Sequence, residues 1–95
     1  MRRRQYYVYI MTNQKNYVLY IGITNDIKVR VYEHKNGIGS KFTKMYEIDK
    51  LVYLEEYDDI NNAIAREKQL KAGSRQNKID LITKFNPDWQ DLGKY

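Results

Sequence analysis

The sequence predicts an α+β fold in which helices flank a three-stranded, mainly antiparallel sheet, in the order ββαβαα. Two runs rich in tyrosine and β-branched residues, 6–11 and 17–23, lie on either side of a polar turn and predict a hairpin. Three later segments are preceded by helix-capping residues and followed by glycine or proline. A third strand-like run, 51–56, separates the first of these helices from the other two. The length of 95 residues suits one domain spanning residues 1–95.

The first two strands are expected to bring two phenols together. If residues 13–16 form the hairpin loop, Thr12 pairs with Tyr17 and Tyr9 falls opposite Tyr20. Cross-strand partners share a face of the sheet, so both phenols project the same way. A slip of one residue would break this pairing, which makes the register a specific prediction.

The first helix is expected to present a guanidinium and an imidazole on one face. Cap residues 24–26 predict its start, and Gly37 predicts its end. Ile27 marks the inner face of the helix. Arg30 and His34 extend that face at i+3 and i+7, one turn apart.

The second helix carries an acid where its pattern calls for an apolar residue. Ile60, Ala63 and Ile64 form a stripe spaced i, i+3, i+4, and the next position on that stripe is Glu67. A negative charge directed at a small domain's interior is costly unless a positive group meets it. A surface ion pair with Lys71 at i+4 would also explain this glutamate, and the pattern alone leaves both interpretations open.

The remaining segments have simpler predictions. A flexible basic loop, 37–41, and irregular chain to Asp49 precede the third strand. The last helix begins at its cap Ser74 and ends before Pro87, because proline cannot continue the hydrogen-bond ladder. Trp89 in the tail is expected to fold back onto the body of the domain.

Composition narrows the class of partner and the compartment. The formal net charge of +5 favours an acidic partner, with nucleic acid ahead of a membrane surface. Cysteine is absent, which excludes disulfides and thiolate metal sites and suits a reducing cytoplasm. No run approaches the ~18 apolar residues of a membrane span, and the apolar run after the first arginines is too short for a signal peptide. We therefore expect a cytoplasmic protein without a membrane segment.

These side chains together predict metal-assisted attack on a phosphodiester. Glu67 can hold a divalent cation, which neutralises phosphate oxygens and stabilises the leaving oxygen. Arg30 offers a planar charged fork that matches phosphate. A tyrosine near both could act as a base and pass its proton to His34. Besides the ion pair given above for Glu67, the structural interpretations are cross-strand packing for the phenols, a surface position for Arg30 and a solvated or core-edge position for His34.

The chain resembles the GIY-YIG nucleases over roughly residues 6–92. Five ordered segments carry the resemblance: Tyr7-Val8-Tyr9, Tyr20-Ile21-Gly22, Arg30-Val31-Tyr32-Glu33-His34, residues 63–71 and residues 86–92. In the first segment the family's tyrosine is kept and its glycine is replaced by Tyr7. The last segment is similar to the tail of the small stand-alone bacterial members of endonuclease type.

The resemblance implies a role for each matching residue. Glu67 would hold one Mg²⁺ or Mn²⁺, and Arg30 would bind the scissile phosphate. One of Tyr9 and Tyr20 would activate water while the other orients it or the phosphate. We expect Tyr9 to be the base, assisted by His34.

Two further features of the family have candidates in this chain. Gly22 would let backbone and substrate approach closely at the end of the strand. Many family members carry a late asparagine, and both Asn77 and Asn86 are candidates for it.

The resemblance implies a metal-dependent DNA endonuclease of low sequence selectivity, unless a recruiting protein directs it. The alternatives are a non-catalytic nucleic-acid-binding module that stacks its tyrosines on bases, and an adaptor whose basic surface meets an acidic protein. Basic side chains besides Arg30 are expected to contact phosphates without reading sequence. They are Arg2, Arg3, Arg4, Lys35, Lys41, Lys44, Lys71 and Arg75.

Overall fold

The computed structural model describes residues 5–94, which form three strands and four helices. The predicted α+β class and the order ββαβαα are confirmed, and one short helix, α2, lies in the segment expected to be irregular. The elements are β1 (Tyr6–Thr12), β2 (Leu19–Thr24), α1 (Ile27–Lys35), α2 (Lys41–Met45), β3 (Lys50–Tyr57), α3 (Ile60–Ala72) and α4 (Arg75–Phe85). Among residues 5–94, no helix combines the length and the apolar character that crossing a membrane requires.

The hairpin register differs from the predicted one by two residues. The sheet has the order β2-β1-β3 with antiparallel neighbours, and Tyr9 pairs with Gly22 instead of Tyr20. The predicted register is wrong because the Asn13 side chain accepts hydrogen bonds from the backbone N–H groups of Tyr17 and Val18, at 2.8 and 3.1 Å. These bonds keep both residues in the loop. A shift of two residues preserves the face, so the two phenols still lie together, with ring centroids 6.4 Å apart.

Alternate residues of β1 supply two cores on opposite faces of the sheet. The face covered by α3 and α4 is built from Val8, Ile10, Val52, Ala63, Leu70 and Ile82. The face covered by α1 is built from Tyr9, Met11, Val31, Ile48 and Leu51. The central strand therefore carries Tyr9 into the core beneath α1, while α3 lies on the other face.

A hydrogen-bonded carboxylate fixes α3 against β3. Glu55 accepts from Arg66 Nε at 3.0 and 3.2 Å and from Arg66 Nη2 at 3.0 Å, and it also accepts from the Tyr53 and Tyr57 hydroxyls. Burial alone would raise the pKa of Glu55, but the hydrogen bonds from Arg66 and the two tyrosines outweigh burial and lower it. The bidentate contact restrains the rotation of α3 and, with it, the neighbouring Glu67.

The tail after α4 folds back onto the body, as predicted from Trp89, which packs against the core under α3 and α4. Asn86 is buried, and its Nδ2 donates to the Val52 carbonyl at 3.2 Å, joining the tail to β3. Asp91 accepts from Lys35 Nζ at 2.6 Å, joining the tail to α1. These bonds give Asn86 a structural role.

Gly22 is required by the ring that lies over it. A Cβ atom built at position 22 would lie 2.2 Å from Tyr9 Oη and 2.3 Å from Tyr9 Cζ. Tyr9 has no exposed surface, so its ring cannot swing away without disturbing the core. The close approach at Gly22 is thus made by Tyr9, and an approach by substrate stays a prediction.

We expect Gly22→Ala to lower the free energy of unfolding by about 1–3 kcal/mol, because the added methyl overpacks a filled core. Denaturant unfolding monitored by circular dichroism measures the change. Gly73→Ala is the matched control, because a Cβ there would meet nothing closer than 3.6 Å. Equal stability of the two variants would mean that the Tyr9 ring does not depend on a glycine.

Candidate active site

Tyr9 and Arg30 form the direct contact at the centre of the candidate site. Arg30 Nη1, from α1, donates to the Tyr9 hydroxyl oxygen at 3.1 Å, and Arg30 Nε lies 3.4 Å from Glu33 Oε1. Burial raises the pKa of Tyr9 to about 12, although the positive charge of Arg30 opposes this effect. The phenol is therefore protonated at neutral pH in the protein alone. Arg30 keeps further N–H groups for a ligand.

His34 lies one turn after Arg30 and is buried. Its Nδ1 is 2.9 Å from the Ile48 carbonyl oxygen, and because a carbonyl can only accept, Nδ1 carries the proton. In the neutral ring Nε2 is then the acceptor. Burial lowers the pKa of His34, and the nearby charge of Arg30 lowers it further, so the ring is neutral at pH 7. The ring stands edge-on to Tyr20 and Tyr9, with centroids 5.4 and 6.1 Å away.

Tyr20 completes the aromatic side of the site. It lies on β2, is partly buried, and contacts the Tyr9 and His34 rings as well as the Phe42 ring of α2. The structure thus brings together four of the five predicted site residues through direct ring contacts and one hydrogen bond. Tyr20 is the more solvent-accessible of the two phenols.

Glu67 occupies the buried stripe of α3, as its spacing predicted. It lies between Ala63 and Leu70, both buried, and its side chain is 17% exposed. Its Oε2 is 3.5 Å from Lys71 Nζ, so the i+4 ion pair is also present. The negative charge of Glu67 acts on Tyr9, where it adds to the larger effect of burial in raising the pKa of the phenol. Glu67 is therefore electrostatically coupled to Tyr9 but makes no hydrogen bond or ion pair with the other four site residues.

The metal-binding side chains of the candidate site fit an ion that is held by a single carboxylate. Within residues 5–94, no group of three or more His, Cys, Asp or Glu side chains could enclose an ion. A lone carboxylate suits Mg²⁺ or Mn²⁺, because Mg²⁺ keeps several waters and completes its shell with substrate phosphate oxygens. Glu67 meets that requirement, since its partner Lys71 is mostly exposed and such pairs are weak.

The predicted phosphate contacts have different surroundings. Lys35 Nζ donates to Asp91 at 2.6 Å and to the Asp49 carbonyl at 2.9 Å, which competes with phosphate binding. Lys71 pairs with Glu67. Three side chains are exposed and make no hydrogen bond or ion pair within the described range: Lys41, Lys44 and Arg75. The phosphate contacts expected of Arg2, Arg3 and Arg4 lie outside the described residues.

Two aromatic residues beside the site were not singled out from the sequence. Phe42 and Tyr46 lie on and just after α2, with ring centroids 4.8 Å apart, and Phe42 also contacts Tyr20. The sequence did contain one signal for α2, because serine is a common helix N-cap residue. In the structure Ser40 caps α2, accepting a hydrogen bond from the Thr43 backbone N–H at 3.2 Å. Five residues are too few to reveal a helical period.

Comparison with known proteins gives the family. The model of the GIY-YIG catalytic domain matches residues 5–80. A UPF0213 protein of Staphylococcus saprophyticus is 40% identical over 79 residues, covering 83% of this chain and 95% of that protein. A UPF0213 protein of Syntrophus aciditrophicus is 42% identical over 83 residues, covering 86% and 93%.

A solved structure has the same fold. The solution NMR structure of a UPF0213 protein from Bacillus halodurans superposes with a TM-score of 0.59 at 27% identity, covering 95% of each chain. The domain match spans most of this chain, including all five predicted site residues. The protein therefore belongs to the GIY-YIG domain family and is a relative of the UPF0213 proteins.

Proposed function

We propose that this single domain is a metal-dependent endonuclease that hydrolyses DNA phosphodiester bonds with low sequence selectivity in the cytoplasm. The observation that carries the proposal is the hydrogen bond between Arg30 and the buried Tyr9 hydroxyl, beside His34 and Tyr20, in a chain with a GIY-YIG domain. The contact puts the permanent positive charge of Arg30 next to the Tyr9 hydroxyl, which supports a role for this pair in binding phosphate and transferring a proton. A recruiting protein would supply any further selectivity.

Arg30 is proposed to bind the scissile phosphate. Nη1 of its fork donates to the Tyr9 oxygen and Nε lies 3.4 Å from Glu33, which leaves Nη2 and the second N–H of Nη1 for phosphate oxygens. Its charge also stabilises the negative charge that develops as water attacks.

Tyr9 is proposed to take the proton of the attacking water, and this requires the phenol to lose its own proton first. Neutral His34, whose ring centroid lies 6.1 Å from that of Tyr9, is proposed to receive that proton at Nε2, the ring nitrogen not bonded to Ile48. A divalent cation held by Glu67 would supply positive charge that favours the phenolate and neutralises phosphate oxygens. Because the Glu67 charge helps to raise the pKa of Tyr9, neutralising that carboxylate reverses one cause of the shift. Tyr20 is then left to orient the water or the phosphate.

The test of this proposal is nicking of supercoiled plasmid in the presence of Mg²⁺ or Mn²⁺. We expect the parent to nick and Glu67→Gln to lose nicking, because a neutral amide binds a divalent cation far more weakly than a carboxylate does. Asp80→Asn, which changes an exposed acid on α4, is the matched control and should nick like the parent.

Three outcomes would contradict the proposal. Nicking by Glu67→Gln at the parent rate, or by the parent in EDTA, would exclude the assigned metal site. Salt-sensitive DNA binding without cleavage would indicate the non-catalytic binding module. No DNA binding at modest salt would indicate the adaptor.

His34→Ala is expected to slow nicking by roughly 100-fold without ending it, since general base assistance is worth about that much. In the parent, the rate should fall as the pH drops below the ordinary histidine value of 6.5, because protonated His34 cannot accept a proton. This acid limb should disappear in the variant. Thermal unfolding must show the variant folded at the assay temperature, because His34 also bonds Ile48. An unchanged rate and acid limb would remove His34 from the mechanism.

A further inference from the structure

An exposed aromatic surface lies next to the candidate site. Helix α2 buries only Thr43, while Phe42 is 47% exposed, Met45 is 73% exposed and the following Tyr46 is 45% exposed. Three large apolar side chains exposed within five consecutive residues form a surface patch of the kind that marks interaction sites. We call Phe42, Met45 and Tyr46 the α2 patch.

The α2 patch is continuous with the site through its rings. The Phe42 centroid is 4.8 Å from that of Tyr46 and 6.4 Å from that of Tyr20. Tyr20 in turn contacts His34 at 5.4 Å and Tyr9 at 6.4 Å. A DNA strand bound at Arg30 can therefore extend directly onto the α2 patch.

The two charged side chains on α2 are both positive, and exposed Glu47 follows the patch. Lys41 and Lys44 are on the same helix, both are exposed, and neither has an ion pair within the described range. The segment 37–46 contains no acidic residue. Aromatic faces flanked by unpaired lysines are the combination that binds the bases and the backbone of a single strand.

We propose that the α2 patch stacks unpaired bases of DNA beside the scissile phosphate, so that the preferred substrate is single-stranded or locally unpaired. The position beside the scissile phosphate rests on the proposed function, whereas the stacking of unpaired bases on the patch does not. In a duplex the π-faces of the bases are already stacked, so the patch has no partner there. A second copy of this chain is a poorer occupant, because a two-fold interface would bring the lysines of both copies together.

The test measures the dissociation constant of a labelled single strand and of the same strand in a blunt duplex, by fluorescence anisotropy. Proteins carry Glu67→Gln so that neither DNA is cut. Phe42→Leu and Tyr46→Leu remove a π-face but keep apolar volume, which limits any effect on folding. Tyr32→Leu is the control, since Tyr32 is 61% exposed and lies roughly 200° around α1 from His34.

We expect each patch variant to bind the single strand about 5- to 100-fold more weakly, with duplex affinity changed less than about twofold. Tyr32→Leu should match the parent with both DNAs. Equal losses on the two DNAs, or no loss, would overturn the proposal. So would a change in self-association on ultracentrifugation without a change in DNA affinity, which would make the patch a protein interface.

The proposed function fails separately from this inference. If the parent protein does not nick plasmid, but the patch variants bind the single strand more weakly than the parent does, the nuclease proposal is overturned and base stacking is retained. Nicking that persists while patch variants bind the single strand normally would overturn only the stacking site.

Discussion

A buried tyrosine over a glycine is the constraint on which the rest of this structure depends. Tyr9 lies on the central strand, with its ring against Gly22 of β2 and its hydroxyl bonded to Arg30 of α1. A side chain at position 22 would occupy the space of the ring, so sheet register and site geometry depend on the same contact. The Tyr9 hydroxyl accepts a hydrogen bond from Arg30, and this bond fixes Arg30, and His34 one turn later, relative to the sheet.

The electrostatics of the candidate site leave the Tyr9 phenol and the His34 imidazole uncharged. Burial raises the pKa of Tyr9 and lowers that of His34, so both are neutral at pH 7 in the protein alone. The charged groups that act on Tyr9 are Arg30 and Glu67, and those that act on His34 are Arg30, Glu33 and Asp49. Binding of a phosphate and a cation would therefore change the charge that surrounds these two neutral side chains.

The sequence predicted the class, the element order and the shared face of Tyr9 and Tyr20, because these depend on periodicity. A strand repeats every two residues, so the pair survived a two-residue error in register. The error itself came from the Asn13 side chain, whose hydrogen bonds lengthen the loop and leave no mark in the apolar pattern. Helix α2 was not predicted for a related reason. A five-residue helix depends on tertiary contacts for its stability, and its sequence is too short to show a helical period. The spacing on α3 placed Glu67 correctly on the buried stripe.

The account depends most on Glu67 holding a divalent cation near the phenols. Titration of isotopically labelled protein with Mn²⁺, followed by NMR line broadening, measures the location of the ion directly. We predict that the signals of Glu67 and the ring signals of Tyr9 and Tyr20 broaden before the rest of the protein, and that Glu67→Gln abolishes this selectivity. Broadening centred on the acidic turn at Asp58 and Asp59, with the rings unaffected, would contradict the account.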